Sequence, residues 1–345
     1  VSATARAAVV VLNWNGRALL ERFLPPLLAY TPPGLAEVVV ADNHSTDGSF
    51  ELASERFPRA RWLQLDQNHG FAKGYNLALA QLEHEWVVLL NSDVEVAEGW
   101  LEPLLARLEA EPDLAAVSPK VRSQRSPELF EDAGAAGGFI DHLGYTFCRG
   151  RLFERVEADG GQYDDPRDCF WASGACMAIR RELFLAMGGF DEDFVAHMEE
   201  IDLCWRLLNA GWRIGFCPGS AVFHVGGASL RKGSPRKTFL NFRNNLSMMV
   251  KNLPRGQAAR KVLVRLALDL PAALRFLAQG EARLFAAVLR AHLSFYARLP
   301  RLLRQRRALL GARPGRELAP GLVYPKSVVW QAFFHKKEKF SDLGF

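Results

Sequence analysis

The stretch WVVLLNSDVEV, residues 86–96, decides how the chain is read. Trp86–Leu90 is an uninterrupted apolar run, the pattern of a strand buried on both faces. It stops abruptly in Asn91, Ser92, Asp93 and Glu95. A carboxylate at a strand's end, beside small polar residues, suits a hard divalent cation that bridges to diphosphate. Such a cation neutralises charge building on a leaving phosphate. The same residues also suit an ordinary turn closed by local Asn, Ser and Asp hydrogen bonds.

Upstream, Ala7–Leu12, Val38–Ala41 and Arg61–Leu65 read as further strands, and Leu114–Ser118 as a weaker fifth. Helical patterns fall between them at 17–30, 48–56, 71–83 and 99–110. This alternation predicts an α/β domain with a mostly parallel central sheet. Ligands on such sheets bind at the carboxyl ends of the strands. Residues 122–170, rich in Gly, Asp and Arg, read as a long loop region with a hairpin. Order returns at Phe170–Arg180, at a helix near Met198–Ala210, and at short strands Trp212–Cys217 and Ala221–His224. From 236 onward the pattern is helical. Neither GxGxxG nor GxxxxGK[ST] is present, so any nucleotide is bound by another device.

Four more segments carry polar chemistry. In VVVADNHSTDGS (38–49), Asp42 ends a strand where a carboxylate can accept from a base or ribose, while Ser45–Asp47 reads as turn and cap. In NHGFAKGYN (68–76), Gly70 and Gly74 allow close backbone approach and Lys73 can meet phosphate. A glycine turn into a helix is the plainer alternative there. In GGFDEDFVAHMEEIDLCWRLLNAGW (188–212), Glu199, Glu200 and Asp202 crowd a helix start, and Asp202 is spaced to pair with Arg206. The dipole favours acids there, but three in four residues exceed what a cap needs. One of them as a base over a cleft is the sharper reading. His224 closes a short strand, and a lone histidine is more often structural than a ligand.

Composition bounds the class. The chain is 49% hydrophobic and 23% charged, as a globular core requires. Its five cysteines, odd in number and never spaced CxxC, read as reduced buried thiols of a cytoplasmic protein, not as disulfides or a zinc site. The N-terminal stretch lacks the h-region of a signal peptide, and no uncharged run reaches the ~20 apolar residues of a spanning helix. Net charge is uneven. Residues 1–250 hold 24 Lys/Arg against 33 Asp/Glu, whereas 251–316 hold 15 Lys/Arg against only Asp269 and Glu281. Within that stretch Arg recurs on a background of Leu, Phe and Ala over 255–310. This is the composition of interfacial helices on an anionic bilayer. Pro271 and Pro300 are expected to break them into pieces. The alternative is ordinary packed helices whose arginines snorkel to solvent. No nucleic-acid recognition motif accompanies the charge, so nucleic acid is not an expected partner.

Taken in order, VVVLNWNG, VVVADNHSTDGS, NHGFAKGYN, LLNSDVEV, FWASGACMAIRR, GGFDEDF, EEIDLCWR and His224 resemble the family 2 glycosyltransferases of GT-A fold, and among them the rhamnosyltransferase-like branch. The likeness covers about residues 7–252. It implies a GT-A catalytic domain over 1–235 and a helical, basic extension over 236–345. Leu12, Asn13, Asn15 and Asp42 would hold the nucleoside of a nucleotide-sugar. Asn91–Ser92–Asp93 falls on the family's DxD-type motif, with Asp93 binding Mg2+ or Mn2+. Asn91 and Ser92 stand where aspartates are common, so the metal would arrive with the donor diphosphate. Trp171, Ser173 and Gly174 would line the donor-sugar and acceptor region, beside Glu199 and Asp202. Glu200 falls on the family's catalytic base, with Glu where Asp is usual, and His224 on a second metal ligand. The implied reaction is a single inverting displacement. It takes a dTDP- or UDP-sugar, rhamnose first among them, to a lipid-linked or polysaccharide acceptor of the cell envelope, at the inner face of the cytoplasmic membrane. A nucleotidyltransferase would need a basic triphosphate loop near the first strand, where only Arg17 stands. A degenerate scaffold would have no need to retain Asp42, Asp93, Glu200 and His224.

Overall fold

A computed structural model describes residues 5–131, 134–226, 233–254, 256–312 and 318–345. Residues 1–4 and 227–232 of the 1–235 span, and Arg255, Arg313 and Arg316 of the basic stretch, lie outside the described residues.

Strand and helix alternate as β1 (Ala7–Asn13), α1 (Arg17–Ala29), β2 (Ala36–Asp42), α2 (Ser49–Arg56), β3 (Arg61–Gln64), α3 (Gly70–Ala80), β4 (Trp86–Asn91), β5 (Val94–Val96), α4 (Glu102–Ala110) and β6 (Leu114–Ser123). Short strands β7 (Gly138–Asp141), β8 (Thr146–Cys148), β9 (Arg151–Leu152), β10 (Arg155–Val156) and β11 (Arg167–Asp168) follow. Then come β12 (Cys176–Arg180), α5 (Arg181–Ala186), α6 (Glu199–Asn209) and β13 (Arg213–His224). The C-terminal part holds α7 (Pro235–Asn252), α8 (Ala258–Ala278), α9 (Ala282–Ala312), β14 (Val323–Tyr324) and α10 (Val328–Phe333).

The central sheet has the order β11-β13-β6-β12-β4-β1-β2-β3, with β5 paired to β13. Pairs β1–β2, β1–β4, β2–β3 and β6–β13 are parallel. β12 runs antiparallel between β4 and β6. The period of two along β1 sends Ala7, Val9 and Val11 to one face, under Leu20, Leu24 and Leu27 of α1 and Leu104 and Leu108 of α4. Ala8 and Val10 go to the other, with Tyr75 and Leu79 of α3 and Leu203 and Leu207 of α6. The result is an α/β sandwich with a mainly parallel sheet.

Several expectations are corrected. Leu114–Ser118 is the start of a ten-residue strand, firm because it is flanked on both sides. The two short strands near 212–224 are one strand, bulged between Cys217 and Ala221. Residues 122–170 hold most of a second sheet, β10-β9-β8-β7-β14. Its strands of two to four residues are too short to show periodicity. Part of the 236–345 extension is not helical: β14 pairs with β7, and Tyr324, Phe340 and Phe345 pack on Phe147 beneath it. Pro271 and Pro300 lie inside continuous helices. The chain breaks instead at Gly280, whose φ of +79° ends α8. All five cysteines are free and buried. Among the described residues no helix is long and apolar enough to cross a membrane.

Candidate active site

The parallel register brings the carboxyl ends of the strands level: Asn13 stands opposite Asp42, and Leu12 opposite Asn91. Asn13 and Asp42 are both buried. Asp42 Oδ1 accepts from Asn13 Nδ2 (2.8 Å) and Ser45 Oγ (2.6 Å), and Asp42 Oδ2 from the Ser45 N–H (2.8 Å). Asp42 therefore turns inward and builds the loop after β2. Asn15, exposed at φ 50°, completes the loop by accepting from the Thr46 N–H at 2.7 Å. Leu12 supports α3, because a Cβ on Gly74 would come within 2.9 Å of its side chain. Lys73 lies half-buried on α3. Asn76 staples the turn before α6 by donating to Phe190 O (2.9 Å) and accepting from its N–H (2.8 Å). Asn43, which no sequence reading singled out, joins the β2 loop to α3 by accepting from the His69 N–H and donating to Gly70 O.

Asp93 sits in the two-residue link between β4 and β5. β5 pairs with β13 so that Val94 faces His224, which places the imidazole beside Asp93. Asp93 Oδ1 lies 3.2 Å from His224 Nε2, and Glu131 Oε2 lies 2.9 Å from His224 Nδ1. Burial disfavours charge on the ring, but the hydrogen bonds to Asp93 and Glu131 outweigh it and pull its pKa up to about 10. This cluster fits a divalent cation. A cation would take the place of the proton that the ring shares with Asp93, and the Glu131 carboxylate on Nδ1–H would then hold the tautomer whose Nε2 lone pair meets the metal. Two ligands of an octahedral ion, each about 2.1 Å from it and at right angles, stand about 3 Å apart, close to the Asp93–His224 spacing. Among the described residues no group of three or more His, Cys, Asp or Glu could hold a metal ion. Diphosphate and water would have to complete the coordination, as Mg2+ sites commonly require. Glu131 carries no motif and was missed by sequence reasoning.

Glu200 reaches the same edge by another route. Ala175 O accepts from the Asn91 N–H at 3.0 Å, so the FWASGA segment abuts the end of β4. A Cβ on Gly174 would lie 3.5 Å from Glu200 Cδ. Gly174 thus links the Glu200 carboxyl to the Asn91–Asp93 link, where Asn91 and Ser92 are half-buried. Burial pushes the Glu200 carboxyl up to about 7, although backbone N–H groups at the helix start draw it down. Glu199 is more deeply buried; desolvation and the Glu200 charge raise it well above the usual carboxylate range. Of the two, Glu200 is the one that titrates near neutrality, as a general base must. Each has one buried oxygen without a hydrogen-bond partner among the described residues.

Three other candidates, Asp202, Trp171 and Ser173, are buried in packing. Asp202 is buried against Arg206 (2.8 Å), Lys251 (2.8 Å) and Asn252 (2.7 Å). Burial alone would raise its pKa, but the charges of Lys251 and Arg206 lower it. The Asp202–Arg206 pair is the one its spacing suggested, and both residues are held in this buried network. Trp171 lies flat on Gly138 and donates Nε1–H to Phe139 O at 3.0 Å, so its indole anchors the second sheet. Ser173 is buried, its Oγ accepting from the Ala175 N–H.

Comparison with known proteins agrees with this architecture. The sequence profile described as Glycosyl transferase family 2 matches residues 8–188. The chain is 31% identical over 236 residues to the N-acetylglucosaminyl-diphospho-decaprenol L-rhamnosyltransferase of Mycobacterium tuberculosis, covering 63% of this chain and 75% of that one. It is 25% identical over 242 residues to the low-salt glycan biosynthesis hexosyltransferase Agl10 of Haloferax volcanii, covering 69% and 73%. The fold matches GalNAc-T7, solved with UDP, GalNAc and Mn2+, at a TM-score of 0.57 (18% identity; 73% of this chain, 48% of that one). It matches the mannosyltransferase PcManGT of Pyrobaculum calidifontis, in complex with GDP-Man and Mn2+, at 0.53 (19% identity; 84% and 87%). The chain is a glycosyltransferase of GT-A fold and belongs to glycosyltransferase family 2.

Proposed function

We propose that this glycosyltransferase moves a sugar, rhamnose first among the candidates, from a dTDP- or UDP-linked donor to a hydroxyl of a lipid-linked or polysaccharide acceptor in cell-envelope glycan synthesis. The observation that carries the reading is the meeting at Gly174–Ala175: a carboxyl poised near neutrality stands beside the strand end that bears Asp93. Glu200 takes the proton from the acceptor hydroxyl as its oxygen attacks the anomeric carbon. Attack opposite the leaving group inverts the configuration, and no enzyme nucleophile is needed. Asp93 and His224 would hold Mg2+ or Mn2+, which neutralises charge on the departing diphosphate. Leu12, Asn13 and Asp42 shape the loop that would receive the nucleoside, and Lys73 of α3 would meet the phosphates. The preference for rhamnose and a polyprenyl-linked acceptor follows the mycobacterial relative.

A thermal-shift screen of nucleotide-sugars with Mg2+ or Mn2+ tests the donor, because a ligand that binds only the folded state raises Tm. Stabilisation by dTDP-rhamnose or a UDP-sugar, followed by transfer to a polyprenyl-diphosphate-linked sugar, supports the reading. No stabilisation by any nucleotide-sugar overturns it.

We also propose that α8–α10 rest on an anionic membrane surface. Leu263 and Leu293, 66% and 69% exposed, and Leu270 and Leu274 share these helices with the arginine series. Trp330, Phe333 and Phe334 extend the patch, with Arg275 placed over the Phe333 ring. Exposed leucine and aromatic faces interleaved with arginine complement acidic headgroups. Flotation on phosphatidylglycerol-containing liposomes should fall when Leu263, Leu293, Trp330 and Phe334 are replaced by serine. Equal flotation of both proteins overturns the membrane role.

A further inference from the structure

We propose that Asn244, on the helix after the catalytic fold, is a positioning residue for Glu200, holding a strained turn in the geometry that aims the base. The inference rests on Glu200 acting as the base. Residues 191–198, DEDFVAHM, lead into α6. Val195 has φ 67° and ψ −58°, and the Ala196 N–H donates to Phe194 O at 2.7 Å. That is a γ-turn of the rare, strained hand, centred on a β-branched residue that resists positive φ. His197 (φ 67°) and Met198 (φ 72°) repeat the left-handed conformation immediately before the helix. Three such residues in four persist only where the surroundings over-determine them.

The over-determination comes from α7. The Asn244 side-chain amide reaches the carbonyls of Phe194 (3.0 Å), Ala196 (3.0 Å) and His197 (2.8 Å). Arg243 Nε donates to Asn244 Oδ1 at 2.9 Å, which fixes the amide with its NH2 toward the turn. Arg243 Nη2 donates to the carbonyls of Asp193 (2.9 Å) and Phe194 (3.2 Å). Lys251 pairs with Asp191, and Arg298 and Arg301 of α9 with Asp193. Asn244 is fully buried, and its side-chain amide is bonded to the turn and to Arg243, so its effect on chemistry passes through Glu200.

The test uses the full chain with saturating donor and metal. Asn244→Ala should lower kcat by about 100-fold, the scale of a small misplacement of a catalytic group, while donor KM changes by less than about threefold. The acidic limb of the kcat–pH profile should move down from about 7, because a loosened Glu200 gains water. Val195→Gly, which removes the steric objection to positive φ, should partly restore kcat in the Asn244→Ala background. A purely structural role predicts neither the limb shift nor that rescue. Asn244→Ser serves if the alanine variant does not fold. A folded variant with wild-type kcat and an unmoved limb overturns the proposal, and so does loss of fold in every variant, the Val195→Gly background included. Glu200→Gln separates the two readings: if it retains turnover, the base assignment fails; if it is inactive while Asn244→Ala is normal, only the positioning role fails.

Discussion

Asp93 and His224 are held by strands, whereas Glu200 is held by a turn that cannot hold itself. The first pair follows from ladder register: β5 on β13 sets Val94 against His224, and β13 runs parallel to β6. Backbone hydrogen bonds fix such positions without help from side chains. Glu200 begins a helix preceded by three non-glycine residues at positive φ, and polar groups of α7 and α9 hold that approach. The proposed metal-binding edge thus belongs to the sheet, and the proposed base to the contact between the sheet and the C-terminal helices. Damage to the two should separate in measurement.

The largest effect is expected at the base. Glu200→Gln should lower kcat by about 10²–10⁴-fold and leave nucleotide-sugar binding, followed by thermal shift, in place. In the wild type, kcat should rise with pH through about 7, since only the ionised carboxylate accepts a proton. A profile flat from pH 5 to 8 would place the base elsewhere.

Next in size is a crossed pair. Asp202→Asn should cost about 3 kcal/mol of stability, because Arg206 loses its buried carboxylate while Lys251 keeps Asp191. Asp93→Asn should cost less stability, because His224 keeps Glu131, and should weaken Mn2+ binding. Urea unfolding and direct Mn2+ titration of both proteins would show the crossing; the same loss in both readouts for either variant would break the distinction between edge and turn.

Glu131→Gln should have a smaller effect, weakening Mn2+ affinity by about 10-fold, at the low end for a partner behind a metal-bound histidine. Gln still accepts from Nδ1–H but makes the ring less basic. Calorimetric titration of Mn2+ with saturating nucleoside diphosphate present reads this directly. Unchanged affinity would show that Glu131 merely packs against His224.

What was legible in the chain follows the same division. The valine-rich runs announced β1, β2 and β4, and the abrupt polar end of β4 announced Asp93, because a buried parallel strand has a local signature. Asp202 and Arg206 were paired by helical spacing alone. Glu131 left no such mark: it is 93 residues from His224 and meets it only through strand register. The bonding of Asp42 was not legible, because a strand-end carboxylate looks the same whether it faces a ligand or caps its own loop. The hold of α7 on the base was hidden by treating residues after 235 as a separate extension. A signal was present, since Asn244, Lys251 and Asn252 recur at helical spacing on a face they share with Leu240 and Met248. Polar residues on such a face must be satisfied by something, and here they are satisfied by the 191–202 segment.

The smallest effect is expected at Gly174, where the two regions touch. Its φ is not in the left-handed range, and a Cβ there would meet Glu200 Cδ at 3.5 Å, an ordinary contact. Gly174→Ala should therefore fold normally and keep its metal affinity. The methyl would exclude water from the Glu200 carboxyl, and desolvation raises a carboxyl pKa. The acidic limb of kcat should move up by roughly half a pH unit, opposite in sign to the shift expected for Asn244→Ala. An unmoved limb would mean that the Glu200 carboxyl does not rest against the FWASGA segment in the working enzyme. A lowered Mn2+ affinity would mean that the sheet edge and the base turn are one structural unit rather than two.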